Sequence, residues 1–365
     1  MVTGAPGGVG GGAPGAAAET FFRRFPRARG DLPWLGLGRF PTRVCAAPRL
    51  GADLGLDLWV KRDDESGAGY GGNKVRKLEL CLAEALARGA RRVLTMGGLG
   101  SNQVVAAAFY ARQLGLACDA LLFDQPETPI LRANLRADLC LGARLHVLRS
   151  WRDAPTVVAG VLGAVGRDLY PLGPGSSSPL GTVGYVAAAL ELEEQVARGE
   201  CPEPSVIFVP LGSGGTAAGL LLGLAQTRLR TRLAAVRVVH PALAGAPGTG
   251  LLAWRTARLL ASCGAQLRPF AASRLEVLGG FLGAGYGAPT PAGVAAVARA
   301  ADREGLCLET TYTGKTLAAL IARSPGLRGP VLLWDTFSSA DLAALGRGGE
   351  GRAVPARLRA LVEPW

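Results

Sequence analysis

From about residue 57 the chain alternates short apolar or β-branched runs with longer stretches of helical periodicity. "LDLWV" predicts a strand, and "NKVRKLELCLAEALARG" a helix with Leu78, Leu80, Leu82 and Leu86 available to its buried side. "RRVLTMGG", "CDALLF" and "RLHVL" predict strands, separated by the helical stretches "SNQVVAAAFYARQLG" and "PILRANLRADLCLG". A Gly/Pro/Ser-rich segment, "YPLGPGSSSPLGTVGY" at 170–185, reads as a crossing point between two lobes. The alternation then resumes with a helix over 182–197, the strand "SVIFVPL", the helix "TAAGLLLGLAQ" and the strand "LAAVRVVH". A helix over 249–263, "LEVL", "PAGVAAVARAADREG", "GKTLAALIAR", "PVLLWDT" and one or two short helices complete the chain. Repeated βαβ units predict an α/β fold of two lobes, each a mostly parallel twisted sheet flanked by helices. Ligands of such sheets sit beyond the carboxyl ends of the strands.

The 365 residues suffice for one large or two ordinary domains, and 49% hydrophobic against 19% charged residues marks a globular bulk. The most apolar stretch, "SVIFVPLGSGGTAAGLLLGL", is broken by Ser, Pro and five glycines, so no membrane span is expected. A net charge of +12 raises nucleic acid as a partner. The arginines are scattered without interleaved aromatics, so no nucleic-acid binding is expected. Seven cysteines without a C-x-x-C pair, and no cationic-then-apolar leader, point to reduced thiols in a cytoplasmic protein. With only His146 and His240, a metal site or a serine–histidine hydrolase is poorly supplied. Residues 1–20 read as a disordered Gly/Ala/Pro tail.

Lysine usage changes this picture. Only Lys61, Lys74, Lys77 and Lys315 occur, against 36 arginines, and three of the four fall within 17 residues. Arginine stays charged, whereas lysine can lose its proton and act as a nucleophile. The competing reading is chance clustering on a solvated helix face. "LGSGGTAAGLL" at 211–221 follows a strand and opens a helix, which makes its amides a ready anion site. Gly212, Gly214 and Gly215 permit close approach, and Ser213 and Thr216 add hydroxyls. No G-K-[ST] follows, so this is a phosphate cradle other than a nucleotide P-loop, or else a plain turn. "GGLGSNQ" at 97–103 supplies Ser101 as an N-cap, with Asn102 and Gln103 in the first helical turn. Tyr286 and Tyr312 each lie in a glycine-containing loop. A special lysine plus a phosphate cradle, with neither metal site nor catalytic histidine, suits pyridoxal 5'-phosphate.

"VKRDDESGAGYGGNKVRKLE", "GGLGSNQ", "SPLGTVGY", "PLGSGGTAAGL", "GAGYGAPT" and "YTGKTLAAL" occur in this order. Together they resemble the D-cysteine desulfhydrase and 1-aminocyclopropane-1-carboxylate deaminase family, over about residues 25–340. The resemblance implies a fold-type II, tryptophan-synthase-β-like pyridoxal phosphate enzyme with Lys74 as the Schiff-base lysine. It places Asn102 at the cofactor's ring hydroxyl and Ser213, Gly214, Gly215 and Thr216 at its phosphate. Ser101, Asn102 and Gln103 would face the substrate, and Tyr286 and Tyr312 would serve as acid, base or leaving-group partners. Lys77 is expected to be a lesser charge, either supporting the site from behind or on the helix surface, and Asp63 and Asp64 to pair with Arg or Lys. The implied large, cofactor-binding domain spans 21–74 and 181–365, and the small domain 75–180. A homodimer acting on a small amino acid is expected by analogy.

Two departures matter. Thr313 stands where ring-opening deaminases carry a glutamate facing the pyridine nitrogen, which favours elimination of a good leaving group. Gln103, in contrast, resembles the deaminase version of its motif. "WDTFSS" at 334–339 replaces a T-G-G-like turn, with Phe337 expected close to the cofactor ring. The expected activity is α,β-elimination, D-cysteine desulfhydrase-like, giving pyruvate, ammonia and sulfide. Ring-opening deamination, racemisation, and a cofactor-binding protein with little catalysis are the alternatives.

Overall fold

The computed structural model describes residues 15–348 and 354–363. Along the chain run α1 (Ala16–Arg24), β1 (Val44–Ala46), α2 (Pro48–Leu54), β2 (Leu58–Arg62) and α3 (Lys74–Ala87). Then follow β3 (Arg92–Gly98), α4 (Asn102–Gln113), β4 (Ala117–Phe123), α5 (Pro129–Cys140), β5 (Arg144–Val147), α6 (Ala154–Val165) and β6 (Leu169–Pro171). Next come α7 (Pro179–Ala197), β7 (Val206–Leu211), α8 (Gly215–Gln226), β8 (Arg232–Arg237), α9 (Ala246–Ser262) and β9 (Leu275–Leu278). The chain continues through α10 (Pro291–Glu304), α11 (Thr313–Arg323), β10 (Val331–Asp335), α12 (Leu342–Leu345) and α13 (Arg359–Val362).

These strands form two sheets. A six-stranded sheet has the order β1-β2-β10-β7-β8-β9, and a four-stranded one the order β5-β4-β3-β6. Every pairing is parallel except that of β1 with β2. Fully buried β7 and β10 read as continuous apolar runs because helices cover both faces of a parallel sheet. Helix α7 is buried along most of its length and packs with α8 against the core that holds Ile207, Val209 and Leu332. No helix among the described residues is long and apolar enough to cross a membrane.

The expected tail ends sooner than residue 20. Ala16–Arg24 is helical and buries Ala17, Ala18, Phe21 and Phe22, because the Gly/Pro bias gives way to helix-forming alanines and two aromatic anchors. Residues 1–14 of that tail lie outside the described residues. On α3, Leu78, Leu80 and Leu82 are buried as expected, but Leu86 is 36% exposed at the last turn. Beside those leucines α3 also buries Arg76, Lys77 and Glu79, which makes it an internal helix with polar faces rather than an amphipathic surface helix.

Candidate active site

Lys74 is delivered by a tight turn between β2 and α3. Gly72 has φ +89°, and a Cβ there would lie 2.7 Å from the Phe337 carbonyl oxygen and 3.0 Å from that of Thr336. Only glycine meets both demands. The segment after β10 grips this turn: Asn73 N donates to Thr336 O at 3.1 Å, Gly71 N to Ser338 Oγ at 2.9 Å and Ser339 N to Asp64 O at 3.1 Å. "WDTFSS" therefore clamps the lysine loop, with the Phe337 backbone against Gly72 and its side chain buried. Beneath the turn, Asp64 pairs with Arg62 and Asp63 with Arg76, at 2.8 Å each. Burial pushes the Lys74 amine down to about 8, against a smaller opposing pull from the Glu309 carboxylate.

The turn between β7 and α8 lies next to that amine. Gly214 has φ +87°. Ser213 Oγ and Ser177 Oγ are hydrogen-bonded at 2.8 Å, and Gly215 N donates to Ser177 Oγ at 3.2 Å. A Cβ on Gly175 would lie 2.3 Å from Ser213 Oγ and 3.6 Å from Lys74 Nζ, so the 174–176 turn bridges the lysine and the cradle. Asn73 Nδ2 donates to Thr216 Oγ1 at 3.1 Å, tying the lysine turn to α8.

Lys77 is not a helix-surface charge. It is 1% exposed and lies under the cradle, where Nζ donates to Ser177 Oγ at 3.2 Å and Gly175 O at 3.3 Å. A Cβ on Gly215 would stand 3.0 Å from Nζ and 2.5 Å from Ser177 Oγ, so only a glycine leaves the site open. Among the described residues no carboxylate forms an ion pair with Lys77. Burial, and then the neighbouring Lys74 charge, drives its amine well below the ordinary lysine range. The i,i+3 spacing of Lys74 and Lys77 was the signal that one helix face carries both.

At the start of α4, Ser101 is the N-cap, its Oγ accepting from Gln103 N at 3.3 Å. Asn102 Oδ1 accepts from Asn134 Nδ2 at 2.9 Å. Gln103 is buried, and its Nε2 donates to Ser176 Oγ at 2.8 Å and Thr95 Oγ1 at 3.4 Å, while Oε1 has no partner. That nitrogen is thus committed to holding Ser176, which sits at φ +51° beside Gly175.

Tyr286 and Tyr312 share a hydroxyl–hydroxyl hydrogen bond of 2.7 Å. Glycines bring the pair to the two strand ends: a Cβ on Gly98 would lie 2.8 Å from Tyr286 Cε1, and one on Gly212 3.2 Å from Tyr312 Cε1. Burial raises the Tyr286 phenol to about 12 and the Tyr312 phenol well above its ordinary value. Thr313 is buried at the start of α11, its Oγ1 accepting from Glu309 N at 2.9 Å and donating to Glu309 O at 3.3 Å. Sequence reasoning missed Glu309, whose carboxylate accepts from the amides of Thr311, Tyr312 and Thr313 and caps α11.

A family model described as pyridoxal-phosphate dependent enzyme matches residues 35–335. The D-cysteine desulfhydrase of Salmonella choleraesuis (strain SC-B67) is 34% identical over 334 residues, 88% of this chain and 96% of that protein. That of Serratia proteamaculans (strain 568) is 35% identical over 325 residues, covering 86% and 96%. A solved structure described as an ACC deaminase homologue matches with a TM-score of 0.75 and 28% identity, over 88% of this chain and 99% of that one. Threonine deaminase isoform 2 of Solanum lycopersicum, 15% identical with a TM-score of 0.59, shares the fold. The chain belongs to the fold-type II pyridoxal-phosphate-dependent enzymes.

Proposed function

We propose that the chain catalyses α,β-elimination on a small amino acid with a thiol at Cβ, with D-cysteine as the leading substrate. The observation that carries this reading is the Tyr286–Tyr312 pair, hydrogen-bonded at 2.7 Å and with both phenols held protonated by burial. Such a pair, protonated at neutral pH, can hydrogen-bond a leaving sulfur and is unsuited to serve as a base there. The 34%-identical relatives named D-cysteine desulfhydrase support the same substrate class.

The residues present fit the cofactor. Lys77 is a buried amine without an acid partner, and with Ser177, Ser213 and the amides of Gly214 and Gly215 it makes a donor set suited to a phosphate. Thr216 closes the same cradle, and Lys74 presents an amine depressed to about 8 toward it. When bound, pyridoxal phosphate supplies an aldehyde for amines and an electron sink for the Cα–H bond. Lys74 would hold the cofactor through Nζ, and its amine would carry the Cα proton. Asn102 would donate to the ring oxygen. Ser101, whose Oγ accepts the Gln103 amide, keeps its hydroxyl proton to donate to the substrate carboxylate. Gln103 acts on this side chiefly by fixing Ser176. Thr313 would stand at the ring-nitrogen position, and its hydroxyl is engaged with Glu309. Loss of the Cα proton and the Cβ–S bond, followed by addition of one water, balances as pyruvate, ammonia and sulfide.

The test is product identity. D-cysteine should yield pyruvate and sulfide, and Lys74→Ala should abolish the visible band of the bound cofactor and lower turnover by at least about 10⁴-fold. Release of 2-oxobutyrate from 1-aminocyclopropane-1-carboxylate, without pyruvate from D-cysteine, would replace this reading with ring-opening deamination. Tyr312→Phe should lower kcat by about 10²-fold with KM little changed. An unchanged kcat would remove the tyrosine pair from the proton transfer.

A further inference from the structure

Helix α5 buries a polar pair in an otherwise apolar face. Asn134 and Asp138, both 0% exposed, lie one turn apart between Leu131, Leu135 and Leu139. Asn134 Oδ1 and both Asp138 carboxyl oxygens have no hydrogen-bond partner. With no positive group to oppose burial, the Asp138 carboxyl is pushed well above its ordinary range. Burying such groups incompletely satisfied is costly, so their retention calls for a function.

Asn134 has one. Its Nδ2 donates to the Gly100 carbonyl and to Asn102 Oδ1, at 2.9 Å each. The Gly100 oxygen can only accept, so the end of Asn134 that faces it must be the NH₂ group, which removes the usual ambiguity of an amide flip. An NH₂ group can only donate, so the end of Asn102 that faces it must be the oxygen. The Asn102 NH₂ group is thereby turned the other way, and among the described residues no protein acceptor meets it.

We infer that Asn134 is a positioning residue that fixes the Asn102 amide as a donor toward a ligand oxygen. This rests on the reading that Asn102 meets the ring oxygen of pyridoxal phosphate. Without Asn134 the Asn102 amide can rotate and present its own oxygen to that acceptor, exchanging an attraction for a repulsion. Asn134→Asp enforces the reversal, because a carboxylate there recruits the Asn102 NH₂ group for itself.

The experiment is cofactor titration of the cofactor-free protein, read by the visible band and by tryptophan fluorescence. It is run on the wild type, Asn134→Leu, Asn134→Asp, Asn102→Ala and the double variant, with thermal unfolding recorded for each. Asn134→Leu should raise the cofactor dissociation constant about 10-fold and displace the band, as loss of an orienting partner does at other sites. Asn102→Ala should do as much, and the double variant no more, since Asn134 acts through Asn102. Wild-type affinity and an unmoved band in Asn134→Leu overturn the inference. So does a double variant whose losses multiply. If Leu at this position costs the native unfolding transition, the cycle is read with Asp under the same criteria. A wild type that forms no band sinks the cofactor reading itself, whereas a wild-type band that Asn134 variants leave unmoved sinks only this inference.

Discussion

Helix α3 carries buried cations on two faces, and the two faces are treated in opposite ways. On one, Arg76 makes paired bonds to Asp63, at 2.8 and 2.9 Å, and to Glu191 at 2.9 Å. Lys61 joins at 2.5 Å from Glu191, and Tyr185 and Trp334 each donate to Asp63 at 2.7 Å. Burial opposes ionisation of Asp63, but Arg76, Lys61 and Tyr185 outweigh it and hold the carboxyl at about 2. On the other face, Lys74 and Lys77 point at hydroxyls, glycines and amides, with no acid forming an ion pair among the described residues. A saturated cluster builds architecture. A cluster with donors and no counter-charge fits the phosphate and aldehyde of the proposed reading.

The comparison breaks most visibly at Arg76. Arg76→Leu strands Asp63 and Glu191 as buried carboxylates, and should cost about 3–5 kcal/mol of unfolding free energy in urea. A loss under about 1 kcal/mol, as for a surface pair, would show that the network is not the saturated scaffold its geometry describes.

Lys77 should behave with the opposite sign. Lys77→Met removes a buried amine that lacks an acid partner, so the cofactor-free variant should be more stable than the cofactor-free wild type by about 1–2 kcal/mol. The loaded enzyme should lose cofactor affinity by about 10- to 100-fold, the value of a charge-assisted bond. Inorganic phosphate alone should raise the unfolding midpoint of the wild type and leave that of the variant unmoved. Destabilisation of the cofactor-free variant would place Lys77 with Arg76, as part of the scaffold.

The two faces also differed in how far the sequence exposed them. Asp63, and the turn that delivers Lys74, were readable because KRDD and GGNK combine charge with turn residues at adjacent positions. The same holds for Ser213 through Thr216, where a strand run, glycines and hydroxyls coincide. Lys77 and Ser177 owe their roles to the packing of α3 against α7 and the 174–178 turn, and Asn134 owes its role to the packing of α5 against the start of α4, which no local pattern reports. Each left a weaker trace: the i,i+3 lysine spacing, a polar i,i+4 pair inside the apolar stretch "LRANLRADL", and three consecutive serines. In the fold, the long strands β3, β4, β7 and β10 were legible as apolar runs. The three-residue strands β1 and β6 were not, because each exists through pairing with a distant strand.

The smallest effect concerns the charge on Lys74. Burial lowers its amine to about 8, so roughly a tenth of it is neutral at pH 7, where an unperturbed lysine would be neutral in only about 1 part in 3,000. Only the neutral amine attacks an aldehyde. Cofactor uptake by the cofactor-free protein, followed by stopped-flow absorbance, should therefore quicken as pH rises through about 8 and level off above it. A rate still climbing at pH 10 would mean an ordinary, solvated lysine. Glu309 sharpens the point, because its carboxylate is the one group that pulls the Lys74 amine back up. Glu309→Gln keeps an oxygen for the amides of Tyr312 and Thr313, which share one carboxylate oxygen, but removes the charge, so the midpoint should move below the wild-type value. The acid-free face of α3 is then not wholly free of acids: one carboxylate, capping a different helix, sets how readily its first lysine gives up a proton.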